Sequence, residues 1–217
     1  MIDAPVPLVE AGVAAGGFAI AHLLSASPDE RMLELLAGDR DRASWPIHNE
    51  PTGAALDVIA QGFEPDAVRD EWERLLGNHP DAVEFRESRR RGLDPDVLGP
   101  DLAMQYATAE MSRTHLGPHG PDHLGVEIAY LAHLAAQLAR AIGEGAQEVV
   151  AAIGSDLEGF RREHVDAFSS DVLDELGERA QTVVLRAVPG LTVGFLTAVD
   201  GLIAAAASTT AVDHSAS

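Results

Sequence analysis

Apolar residues along this chain recur at the three- and four-residue intervals of an α-helix, and alternating β-branched runs of strand length are scarce. The clearest stripe is Leu124, Ile128, Leu131, Ala135, Leu138 and Ile142, one continuous apolar face that predicts a central helix. A shorter stripe of Val68, Trp72, Leu75 and Leu76 follows Pro65, a residue tolerated in the first turn of a helix. With the Ala-rich segments between Pro and Gly, these patterns predict helices over 6–25, 28–37, 51–61, 65–77, 95–115, 122–143, 145–167, 170–187 and 190–206. The fold class is therefore all-α, a single-domain helical bundle of about eight to ten helices over residues 1–207. A small, polar, flexible tail is expected at 208–217. From Gly77 to Pro100 the chain turns polar and irregular, through Asn78-His79-Pro80-Asp81, an arginine run and Gly92, and is expected to form a surface loop.

Two apolar stretches, 6–24 and 182–207, approach the length of a membrane span. Glu10 and His22 interrupt the first, which also lacks the basic start and Ala-x-Ala end of a signal peptide. Arg186, Pro189 and Asp200 divide the second, so both are expected to be buried helices of the bundle.

At 217 residues the chain can bury a sizeable core, and with no Cys it does so without disulfides, thiolate nucleophiles or Cys-ligated metal. Acidic residues outnumber basic ones 35 to 15, for a formal charge of -20, and every basic residue is Arg. An acidic surface without lysine is the composition expected of a halophilic protein, one adapted to concentrated salt that screens self-repulsion. The same field repels nucleic acid and anionic membrane, and only Arg89, Arg90 and Arg91 cluster against it. Nucleic-acid binding is excluded as the main activity, and the cytoplasm is the expected location.

Candidate chemistry begins with His115, His119 and His123 at four-residue spacing, beside Asp122. On one helix this would be a metal site, the basis of a rival reading as a small helical metal-binding hydrolase. Gly117, Pro118, Gly120 and Pro121 break that helix, so the shared face is lost and no bound metal is expected. His123 and Glu127 open the following helix one turn apart, where a carboxylate can fix an imidazole. Asp122, after Pro121, reads equally well as the cap of that helix. No phosphate-binding glycine loop, Gly-x-Ser-x-Gly elbow or His-Glu-x-x-His pair occurs, so catalytic signals are absent.

The stretch Gly120-Pro121-Asp122-His123-Leu124-Gly125-Val126-Glu127-Ile128-Ala129-Tyr130-Leu131 resembles the Pro-Asp-His-x-x-x-Glu signature of the TorD-like molybdoenzyme chaperones. Further matches keep the family's order. Trp72 to Gly77 is similar to its aromatic-x-x-Leu-Phe-x-Gly segment, and Glu84-Phe85-Arg86-Glu87-Ser88 to its Pro-aromatic-Glu-Ser motif. Phe18 to Leu24 with Pro28-Asp29-Glu30 resembles the opening helix and its Pro-Asp turn, and Phe160 to Phe168 keeps His164 of a Phe-x-x-x-His-x-x-x-Trp element. The resemblance spans roughly 14–200. Departures fall in the second motif, where Arg86 stands in place of an aromatic, Phe85 comes one residue early and the prolines are missing.

This resemblance implies a TorD-like all-helical fold, no enzymatic activity and no cofactor. It implies a cytoplasmic chaperone that binds the twin-arginine leader, or the apo-form, of a molybdopterin oxidoreductase catalytic subunit, assisting cofactor insertion and preventing premature export. The implied client-binding residues are Asp122, His123, Glu127, Trp72, Leu75, Glu87, Ser88 and Tyr130. Physically, paired arginines followed by an apolar stretch require carboxylates beside an apolar groove. Trp72 and Leu75 also lie on a core stripe, so burial is the competing expectation for both. A permanent accessory subunit of an oxidoreductase is the other alternative, and a monomer is the default, with a dimer open.

Overall fold

The computed structural model describes residues 6–112 and 119–214. Within them run α1 (Val6–Ser25), α2 (Glu30–Ala37), α3 (Asp39–Ala43), α4 (Glu50–Ile59), α5 (Pro65–Leu75) and α6 (Glu87–Arg91). They are followed by α7 (Pro95–Thr108), α8 (Leu124–Glu144), α9 (Gln147–Glu163), α10 (Ser169–Arg179) and α11 (Val183–His214). The protein is all-α, 76% helical, and among the described residues only a single antiparallel bridge, Arg86 with His123, pairs extended backbone.

Short polar side chains start several helices by accepting from orphan backbone N–H groups. Asp29 accepts from Met32 N at 2.8 Å, Asn49 from Thr52 N at 3.2 Å and Asp94 from Asp96 N at 2.9 Å. Gly92 and Gly145, with φ of 64° and 69°, end α6 and α8 in the left-handed conformation that glycine adopts without strain.

The expected central helix is α8, thirteen of whose 21 residues are buried. Helix α1 packs along it, and Gly17 makes the approach close. A Cβ there would stand 2.7 Å from Ala132 Cβ and 2.4 Å from Phe195 Cε2. Helix α11 covers α1, α4, α9 and α10. Its segment Val183–Ser208 is long and apolar enough by composition to cross a membrane, and 44% of its apolar 18-residue window is buried in the bundle.

Three expectations are corrected. The break expected at Pro189 lies instead at 180–182, and Pro189 sits inside α11. The cause is a distant carboxylate: Glu71 of α5 accepts from Gln181 N and Thr182 N, both at 2.7 Å, and so caps α11 from another helix. Burial raises the Glu71 pKa, but these hydrogen bonds and the Arg74 charge outweigh it and hold the carboxyl below its usual range. Second, the stretch 77–100 is more than a surface loop. Val83 and Phe85 are buried, α6 follows, and α7 starts as expected at Pro95 but ends at Thr108, before Glu110 with its φ of 58°. Third, α11 continues beyond 206 to His214, into the stretch expected as tail.

Candidate functional site

The bridge between Arg86 and His123 joins two stretches far apart in sequence. Glu87 N donates to Asp122 O at 2.8 Å and Leu124 N to Phe85 O at 2.9 Å. These bonds press the start of α6 against the start of α8. Ser88 Oγ then donates to Asp122 Oδ2, while Glu87 pairs with Arg91 on one oxygen and meets His164 Nδ1 at 3.0 Å on the other. Both Glu87 and Asp122 are buried.

His123, not Asp122, caps α8, its Nδ1 accepting from Gly125 N at 3.1 Å. An accepting Nδ1 requires the neutral ring. Burial, followed by the charges of His119 and Arg86, lowers its pKa to about 3. The ring stacks between Phe85, 5.6 Å away between centroids, and His119 at 4.1 Å. His119 in turn donates from Nε2 to Ser25 O at 2.8 Å and so holds the loop to the end of α1.

Glu127, one turn into α8, is fully buried. Burial first, then the Glu87 and Asp122 carboxylates, push its pKa well above the usual range, which favours the neutral acid. Neither Glu127 oxygen finds a hydrogen-bond partner among the described residues. Tyr106 of α7 closes the cluster, donating from its hydroxyl to Pro121 O at 2.7 Å and packing its ring on Tyr130 and Phe160.

A groove of about 820 Å³ opens above this cluster, between the end of α1, the end of α5 and the segments 78–86 and 119–123. Trp72, Leu76, Phe85, Arg86, His119 and His123 line it. Trp72 is fixed by donating from Nε1 to Leu23 O at 2.7 Å. A second groove, of about 740 Å³, runs between α7, α8 and α9 and holds Tyr130.

The eight expected site residues thus separate. Trp72 and His123 line the first groove, though each is largely buried. Asp122, Glu127, Glu87 and Ser88 form the buried cluster beneath it. Leu75 is a core residue that lines neither groove, and Tyr130 faces the second. Expectation missed Arg91, placed in a surface arginine run, and His164 as a partner of Glu87. It also missed Tyr106. The spacing of His164 after Phe160 was the available signal. His115 lies outside the described residues, and among those described no cluster of three or more metal-ligating side chains is assembled.

The fold and cluster define an all-α protein in which a short backbone pairing seats a carboxylate and histidine network between two open grooves. No family model, no curated protein and no solved structure matches the chain.

Proposed function

We propose that this protein is a cytoplasmic, TorD-like redox-enzyme maturation chaperone, a monomeric binding protein without catalytic activity or cofactor. Its client is a molybdopterin oxidoreductase catalytic subunit, held through the twin-arginine leader or as the apo-form until the cofactor is inserted.

The observation that carries this reading is convergence in space. The Pro-Asp-His-x-x-x-Glu stretch, Glu87-Ser88 and His164 come from three separate parts of the sequence that resemble that family, and they meet in one cluster. Motif matches scattered by chance have no reason to hydrogen-bond with one another. The cluster itself is buried and acts as a frame, fixing Phe85, Arg86 and His123 at the edge of the first groove. A peptide laid there meets a wall built on the largely buried Trp72, Leu76 and Phe85 and the polar atoms of Arg86 and His119, a surface suited to an extended apolar segment.

The test is capture of partners on the purified protein from an extract of the source cells in concentrated potassium chloride, read by mass spectrometry. Enrichment of a molybdopterin oxidoreductase subunit with its leader attached is the expected result. Recovery only of the assembled, leader-cleaved enzyme would replace this reading with a permanent accessory subunit. Capture of no oxidoreductase overturns it. A variant for mapping the contact must spare the buried cluster, so Arg86→Ala, at a half-exposed guanidinium on the groove, is preferable to any change at Asp122 or His123.

A further inference from the structure

We propose that the second groove, between α7, α8 and α9, receives a peptide segment with adjacent arginines beside bulky apolar residues, so that the basic part of a leader docks here and not in the Trp72–His123 groove. The inference rests on the leader-binding reading and adds where, and by which groups, the charge is read.

Two properties of the groove point to this occupant. The first is charge. Asp101, Glu110, Asp156 and Glu163 line it, and no Arg or His among the described residues does. Of the four, only Glu163 makes an ion pair to another described residue, its neighbour Arg162. The first groove is the opposite case, with Glu73 and Glu84 set against Arg86 and three histidines, and Glu84 already pairs with Arg86 at 3.3 Å. Overall acidity does not produce such a contrast between two cavities on one molecule.

The second property is an aromatic base with exposed apolar side chains of α7 nearby. Tyr130 and Phe160 form the base, edge to face with centroids 4.6 Å apart. Met104 stands on the rim, 67% exposed, and Val97, two turns back on the same face of α7, is 60% exposed. These are large apolar side chains left in water at a groove where Asp101, Glu110 and Asp156 form no ion pair with another described residue, the complement of a segment that alternates guanidinium groups with hydrophobic side chains. Guanidinium groups bind carboxylates through two parallel hydrogen bonds and also stack on aromatic faces, which lysine does less well. The carboxylate of Asp156 already acts on Tyr130, whose hydroxyl is pushed up to about 12 by burial and then by that charge. Charge and ring therefore sit within reach of one ligand group.

The test uses two synthetic peptides, one with adjacent arginines followed by an apolar stretch and one with both arginines replaced by glutamine. Each is titrated by fluorescence anisotropy against the wild type, Asp101→Asn/Asp156→Asn, and Asp171→Asn/Asp174→Asn, in the lowest salt at which all three stay folded. All four aspartates are exposed, so both variants keep the fold and carry equal net charge. The expected result is a loss of about tenfold or more in affinity for the arginine peptide with the first variant only, and equal binding of the glutamine peptide by all three. Equal affinity of the arginine peptide for all three proteins overturns the inference and leaves leader binding standing. Equal losses in the two variants overturn it too, since net charge alone would then be read. No binding of either peptide to the wild type overturns the leader-binding reading itself.

Discussion

His123 carries two demands that normally conflict: its ring caps α8 as a neutral acceptor, and it sits among titratable groups in a buried site. With a pKa near 3 in the folded protein against 6.5 in the open chain, it binds a proton only after unfolding across that interval. Stability from this group is therefore complete above pH 6.5 and is lost as pH falls toward 3. Glu127 acts in the opposite sense, because its raised pKa makes the folded state the better proton binder above pH 4.5. His123→Asn keeps an N-cap acceptor and removes the titration. Urea denaturation of the two proteins between pH 7 and 4 should show the wild type losing more stability with each falling unit, by an extra ~1.4 kcal/mol at most. The variant is less stable at pH 7, having lost its ring stack, so the slope is the deciding quantity. Parallel slopes would mean that the ring is protonated in the folded state. The sequence made His123 conspicuous but offered Asp122 as the cap of the helix, because it could not show Ser88, thirty-four positions away, taking the Asp122 carboxylate.

Helices with a strong local period, α5 and α8 above all, were legible in the chain, as was the all-α class. What local pattern could not supply was contact between distant segments. Glu71 moves a helix start from Gly190 to Val183, and the Arg86–His123 bridge orders a stretch that looks like loop chemistry. Neither groove was legible, because each is assembled from three or more separated segments. Glycines show the same dependence on partners at the level of elements. In α1, Gly17→Ala drives a methyl into Ala132 of α8 and Phe195 of α11. It should destabilise by about 1–3 kcal/mol, seen as a fall of several degrees in Tm. Gly201→Ala, in α11 with open space around the added Cβ, should stabilise by about 0.5–1 kcal/mol through helix propensity. Thermal melts of the pair decide it: a Tm that rises in both variants would show that the α1–α8–α11 contact is looser than its geometry.

Across the described residues the ion pairs engage nine of the 15 arginines. Arginines 42, 69, 74, 86, 90, 91, 161, 162 and 179 all pair with carboxylates, yet one-to-one pairing of 15 basic with 35 acidic residues still leaves 20 negative charges over. Their repulsion acts over a Debye length of about 10 Å at 0.1 M salt and about 3 Å at 1 M. Tm should therefore rise steeply as potassium chloride goes from about 0.1 to 2 M, and a flat profile would mean that the core alone sets stability. Sucrose separates screening from general exclusion of cosolvent: it should raise Tm far less at low salt, since it leaves the charges unscreened. Arginine binding by the acidic groove has the opposite salt dependence, weakening as the same ions screen Asp101 and Asp156. At working salt the apolar floor of Tyr130, Phe160 and Met104 must then contribute most of the affinity, and the carboxylates mainly select arginine over neutral side chains. Stability and arginine affinity plotted against salt should cross, and a client is held best in the interval where the bundle is already folded and the carboxylates are not yet fully screened.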